Sequence, residues 1–77
     1  MGYGMPEFDY LSENLKRMRT EKKESQMDFA AHCGISTEAL SQMERKVTDP
    51  RLSTLQKVAA YTGVTVSELL TRYDDEG

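Results

Sequence analysis

Leu11, Leu15 and Met18 stand at i, i+4 and i+7 with charged residues between them, the spacing that puts apolar side chains on one face of a helix. This predicts a first helix from Asp9 to about Lys22. Ser25 stands before a second such stretch, with Asp28 three residues on in a capping-box-like arrangement and Phe29, Ala30 and Cys33 on one face. Gly34 can take the left-handed conformation that ends this helix, and Ser36 can cap the next, which runs from about Thr37 to Arg45. Thr48-Asp49-Pro50 breaks the pattern; Leu52, Leu55, Val58 and Ala59 restart it up to Gly63. Thr65 and Glu68 form a capping box that opens a short fifth helix carrying Val66, Leu69 and Leu70. With no strand pattern anywhere, the expected fold class is all-α, a compact five-helix bundle.

The second helix, a short turn containing Gly34 and the third helix have the spacing of a helix-turn-helix. At 100° per residue, Thr37, Glu38, Ser41 and Gln42 fall within an arc of about 140°, with Ala39, Leu40 and Met43 opposite. One face is therefore expected to pack and the other to stay free. The small residues Ala30 and Ala39 would let the two helices cross closely.

A chain of 77 residues fits one domain and gives no room for a separate sensing or catalytic one. We expect an arm at 1–8, a domain at 9–73 and an acidic tail at 74–77. The net charge of −3 at first argues against a polyanionic partner, but its distribution changes that. Between Tyr10 and Tyr73 there are 10 basic and 8 acidic residues, and the remaining acids lie in the flanks. No apolar run reaches the length of a membrane span or a signal-peptide core, so a cytoplasmic protein is expected. His32 and the single Cys33 are adjacent rather than convergent and fall short of a four-ligand zinc site. With no phosphate-binding glycine loop either, no enzymatic activity, cofactor, metal or small-molecule ligand is expected.

The run Ser25–Ser36, followed by Leu40-Ser41-Gln42-Met43-Glu44, Pro50–Leu55, Val58-Ala59 and Gly63–Leu70, resembles the phage-repressor and Cro helix-turn-helix family, the Xre group. Several spaced motifs agree in order over about residues 9 to 72. The resemblance implies a lambda-repressor-like DNA-binding domain and a transcriptional regulator, most simply a repressor, whose third helix enters the major groove. It implies base reading by Thr37, Glu38, Ser41 and Gln42, and phosphate contact by Gln26 at the start of the second helix, where free N–H groups attract anions. Ser36, Arg45, Lys46 and Arg51 are further candidates for the phosphates, and Arg19 and Glu44 match a structural ion pair between the first and third helices. The implied partners are double-stranded DNA with a pseudo-palindromic operator and a second copy in a homodimer.

Several positions depart from the family pattern. Glu38 brings a negative charge to the base-facing side, Lys46 replaces a usual Gly, and Glu24 replaces a usual Leu. Arg51 stands where a small capping residue is common, so Ser53 with Gln56 is a candidate later cap. Glu38 and the acidic balance also fit an alternative function, a protein-interaction module such as an antitoxin or a bridging adaptor. Met18, Met27 and Met43 read as core filling, Cys33 as a small buried hydrophobe and His32 as its exposed neighbour. Lys16, Arg17, Lys22 and Lys23 read as a solvated face, while Tyr61, Leu70 and Tyr73 either close the bundle or form a dimer face.

Overall fold

The computed structural model describes the backbone of residues 6–47 and 49–71, and the side chains of this set from Tyr10 onward. These residues form five helices: α1 Pro6–Glu21, α2 Gln26–Cys33, α3 Thr37–Arg45, α4 Leu52–Thr62 and α5 Val66–Leu69. Helix α1 begins three residues before the expected Asp9, so the end of the expected arm is its first turn. Proline suits a first helical position because the N–H it lacks would have no partner there. The acidic tail at 74–77 lies outside the described residues.

Local chemistry explains most boundaries. Ser25, Ser36 and Thr65 each adopt extended backbone angles and accept, through the side-chain oxygen, the N–H three residues on. At Thr65 the bond is reciprocated by Glu68, which completes the expected capping box. The later cap expected at Ser53 does not form. The first turn of α4 closes from the Leu55 N–H onto the Arg51 carbonyl, which places Ser53 inside the helix and leaves the Arg51 N-cap without a side-chain acceptor.

The four longer helices end alike. Lys23, Gly34, Lys46 and Gly63 take left-handed angles with φ of 58°, 83°, 63° and 79°. Each is followed by a residue whose N–H reaches back to a carbonyl of the last turn, as in Glu24 to Arg19 and Val47 to Gln42. Gly34 does this without strain, whereas each lysine carries a left-handed penalty of about 1 kcal/mol.

The core gathers Leu11 and Leu15 of α1, Phe29 and Ala30 of α2, Leu40 and Met43 of α3, Leu55 and Val58 of α4, and Leu69 of α5. Met18 packs partly against it, but Met27 is 65% exposed. The inward face of α2 runs through Phe29, Ala30 and Cys33, and Met27 lies about 160° from Phe29 around the helix. Leu52 is likewise 60% exposed. Tyr61 and Leu70 pack onto the core and so help close the bundle, while Tyr73 lies outside the described residues.

Helix α1 is tied to its neighbours by buried polar side chains on the two rims of its apolar stripe. Ser12 Oγ donates to the Glu44 carbonyl at 2.6 Å, and Asn14 Nδ2 donates to the Leu69 and Thr71 carbonyls at 2.7 and 2.9 Å. These bonds fix α1 against the end of α3 and against α5. Among the described residues, no helix is long and apolar enough to cross a membrane.

Candidate nucleic-acid interface

Helix α3 is held from inside and open outside. Leu40 is fully buried, Met43 and Glu44 nearly so, and Ala39 is half-buried. Thr37, Glu38 and Arg45 are exposed, while Ser41 and Gln42 are half-buried. The four residues expected to read bases thus share the outer face, with Arg45 one turn beyond on the same arc. Ala30 of α2 is fully buried in the core.

The inner rim of α3 ends in a polar anchor. Arg19 Nε lies 2.9 Å from Glu44 Oε2, and Arg19 Nη2 lies 3.0 Å from Oε1. Glu44 is 3% exposed, and its bond to Arg19 holds the guanidinium above its ordinary pKa against the effect of burial. Arg19 Nη1 also donates to the Glu24 carbonyl at 3.2 Å, so one side chain joins α1, the turn before α2 and the end of α3. The expected ion pair is in place, with a further member. Gln26 Nε2 donates to Glu44 Oε1 at 3.0 Å.

That bond changes the reading of Gln26. It lies about 60° from Phe29 around α2, close to the inward face, and is half-buried rather than projecting freely. Its amide nitrogen is engaged with Glu44, which leaves the second N–H and the helix's own first-turn N–H groups to meet an anion. Ser36 Oγ accepts from Ala39 N and keeps its own proton to donate. Lys46 and Arg51 are exposed on either side of the connection that follows α3. On the outer face, Gln42 Nε2 donates to Glu38 Oε2 at 3.3 Å, a link across one helical turn.

A second polar cluster lies on the far side of α2 and escaped the sequence reading. Tyr61 Oη donates to Glu24 Oε2 at 2.7 Å, and His32 Nδ1 lies 3.3 Å from the same oxygen and 3.2 Å from Tyr61 Oη. Tyr61 also packs edge-on against Phe29 at 5.5 Å and receives Lys22 Nζ 4.7 Å from its ring centre. The Tyr61 bond, aided by His32, holds the Glu24 carboxyl below its usual pKa against burial. The same bond, reinforced by burial, pushes Tyr61 up to about 12, and burial pushes the Cys33 thiol up to about 11. Glu24 at a usual Leu position was the visible signal; its partners, eight and 37 residues away, were not.

Fold and face together define a helix-turn-helix domain of the transcriptional-regulator kind. The sequence pattern of the helix-turn-helix family matches residues 15–69, and the chain belongs to that family. It is 42% identical over 60 residues to the HTH-type transcriptional regulator DdrOP3 of Deinococcus deserti, covering 78% of this chain and 46% of that protein. To the immunity repressor protein of Bacillus phage phi105 it is 33% identical over 60 residues, covering 78% of this chain and 42% of the repressor. The chain thus spans less than half the length of both. The crystal structure of the hypothetical transcription factor NHTF from Neisseria superposes with a TM-score of 0.77 at 33% identity, covering 87% of this chain and 77% of that one.

Proposed function

We propose that this domain binds duplex DNA sequence-specifically with α3 in the major groove, and that it serves a cytoplasmic transcriptional repressor. The observation that carries the proposal is the two-sidedness of α3. Thr37, Glu38, Ser41, Gln42 and Arg45 share one accessible face while Leu40, Met43 and the Arg19–Glu44–Gln26 network fix the other. A helix locked from behind presents hydrogen-bonding side chains in fixed register, which base reading requires. Gln26, Ser36, Arg45, Lys46 and Arg51 flank this face in positions suited to the phosphates on either side. The likeness to the phage immunity repressor supports repression. Two copies on a pseudo-palindromic operator would place their α3 helices about 34 Å apart.

The test is binding to bulk duplex DNA by fluorescence anisotropy across a salt series. Affinity should fall steeply with salt, and Arg51→Gln should reduce the slope of log K against log salt by about 1. Glu38 and the net charge of −3 favour a second reading, a protein-interaction module such as an antitoxin or bridging adaptor. Absence of binding to bulk duplex at low salt would decide for that reading.

A further inference from the structure

The Glu38–Gln42 pair sets what the α3 face can recognise, if the DNA-reading proposal above holds. Glu38 is exposed on the outer arc of the helix, and an ionised carboxylate only accepts hydrogen bonds. Gln42 sits one turn later with an amide nitrogen committed to Glu38 Oε2 at 3.3 Å. That link leaves its carbonyl oxygen and one N–H for a partner. The Glu38–Gln42 pair therefore offers three acceptor oxygens and a single free donor, beside the hydroxyls of Thr37 and Ser41 and the Arg45 guanidinium on the same arc.

Base edges differ in what they ask of such a face. Guanine shows two acceptors in the major groove, N7 and O6, and a bidentate grip on it takes two donors. Thymine shows an acceptor at O4 and a methyl group. Adenine offers the N6 amino donor beside the N7 acceptor, which suits a carbonyl paired with one N–H, and cytosine offers only the N4 amino donor, which suits a carboxylate. We infer that Glu38 and Gln42 act as one specificity unit that selects bases with an exocyclic amino group, adenine opposite Gln42 and cytosine or adenine opposite Glu38. Glu38 serves twice in this arrangement, as a reader and as the residue that positions the Gln42 amide. Its charge also repels the phosphates, so its presence weakens binding to any sequence while sharpening the choice among sequences.

The experiment is selection from a random duplex pool by the wild type, Glu38→Gln and Gln42→Ala, followed by affinities for the selected duplex with each base, or an analogue lacking its exocyclic group, placed at the positions the variants affect. Thermal melts of the variants check that they fold. The expected result, at the pair where Gln42→Ala loses preference, is about tenfold weaker binding when the selected adenine is replaced by purine, which lacks the exocyclic amino group, and no such loss when the thymine opposite is replaced by an analogue lacking O4. Glu38→Gln, which can donate, should bind bulk duplex more tightly and admit guanine at the position Glu38 contacts. Undiminished binding when the adenine amino group is removed, or a Glu38→Gln variant with unchanged base choice, overturns the inference while leaving DNA reading intact. A wild type that enriches no sequence overturns sequence reading itself, and this inference with it.

Discussion

Arg19 of α1 grips both carboxylate oxygens of Glu44 near the end of α3, at 2.9 and 3.0 Å, although the two residues are 25 positions apart in the chain. The two-pronged geometry lets a guanidinium hold a nearly buried carboxylate and fix its direction together. Replacing Arg19 with Met would leave Glu44 buried with only the Gln26 amide for a partner. Urea denaturation should show a loss of about 3 kcal/mol for Arg19→Met. Arg19→Lys should recover only part of it, because an ammonium cannot reproduce the fork. Full recovery by lysine would mean that charge alone holds α3.

The ends of α2 and α3 give opposite predictions. Gly34 sits at φ 83° with nothing within 4 Å of where a Cβ would stand, so Gly34→Ala has conformational strain as its only local cost. The expected destabilisation is about 1 kcal/mol, a drop of roughly 4–8 °C in Tm for a domain of this size. Lys46→Gly relieves a left-handed lysine at φ 63° and should raise Tm, with part of the gain offset by the freer unfolded chain. Calorimetry on the two variants checks both signs.

Much of this fold was legible in local sequence because helices announce themselves through neighbours. Ser25, Ser36, Gly34 and the Thr65–Glu68 box mark four termini by chemistry that acts within three or four residues. The outer face of α3 was legible for the same reason, since a 100° step assigns its sides once its limits are known. Contacts between distant elements were less visible. The inward placement of Gln26 depends on where Glu44 lies, and Ser12 and Asn14 are polar residues inside what reads as a solvated rim. Met27 differs because methionine is common both in cores and on surfaces, so its type does not place it; the face that Phe29, Ala30 and Cys33 share, about 160° away, does.

The Glu24–Tyr61 bond should appear in the pH dependence of stability at both extremes. Glu24 titrates lower in the folded state, so the unfolded chain binds its proton more readily. Its contribution is present above the unfolded carboxylate pKa of about 4.3 and is lost as pH falls through the folded value. Tyr61 is displaced upward to about 12, so its contribution is full below its ordinary value near 10 and is lost as pH rises through about 12. The stability gap between wild type and Glu24→Gln should therefore shrink below about pH 4 and above about pH 11. A gap that does not vary with pH at either end would show that the bond contributes nothing to folding.

Cys33 is 7% exposed and its thiol is pushed up to about 11 by burial, so little thiolate exists near neutrality and reagents reach it poorly. Labelling by a disulfide reagent at pH 8 should run far below the rate for a free thiol and rise in step with unfolding as urea is added. Rapid labelling of the native protein would place Cys33 at a surface.

Whether α3 is the DNA-reading face can be read from amide chemical-shift mapping of the isotope-labelled chain titrated with duplex DNA at low salt. The changes should concentrate on Gln26–Asp28 at the start of α2, on Ser36–Lys46 and on Arg51, with the α1–α5 side around Asn14 and Glu68 quiet. Changes centred on that α1–α5 side, or none at all with saturating duplex, would contradict a DNA-reading role for α3.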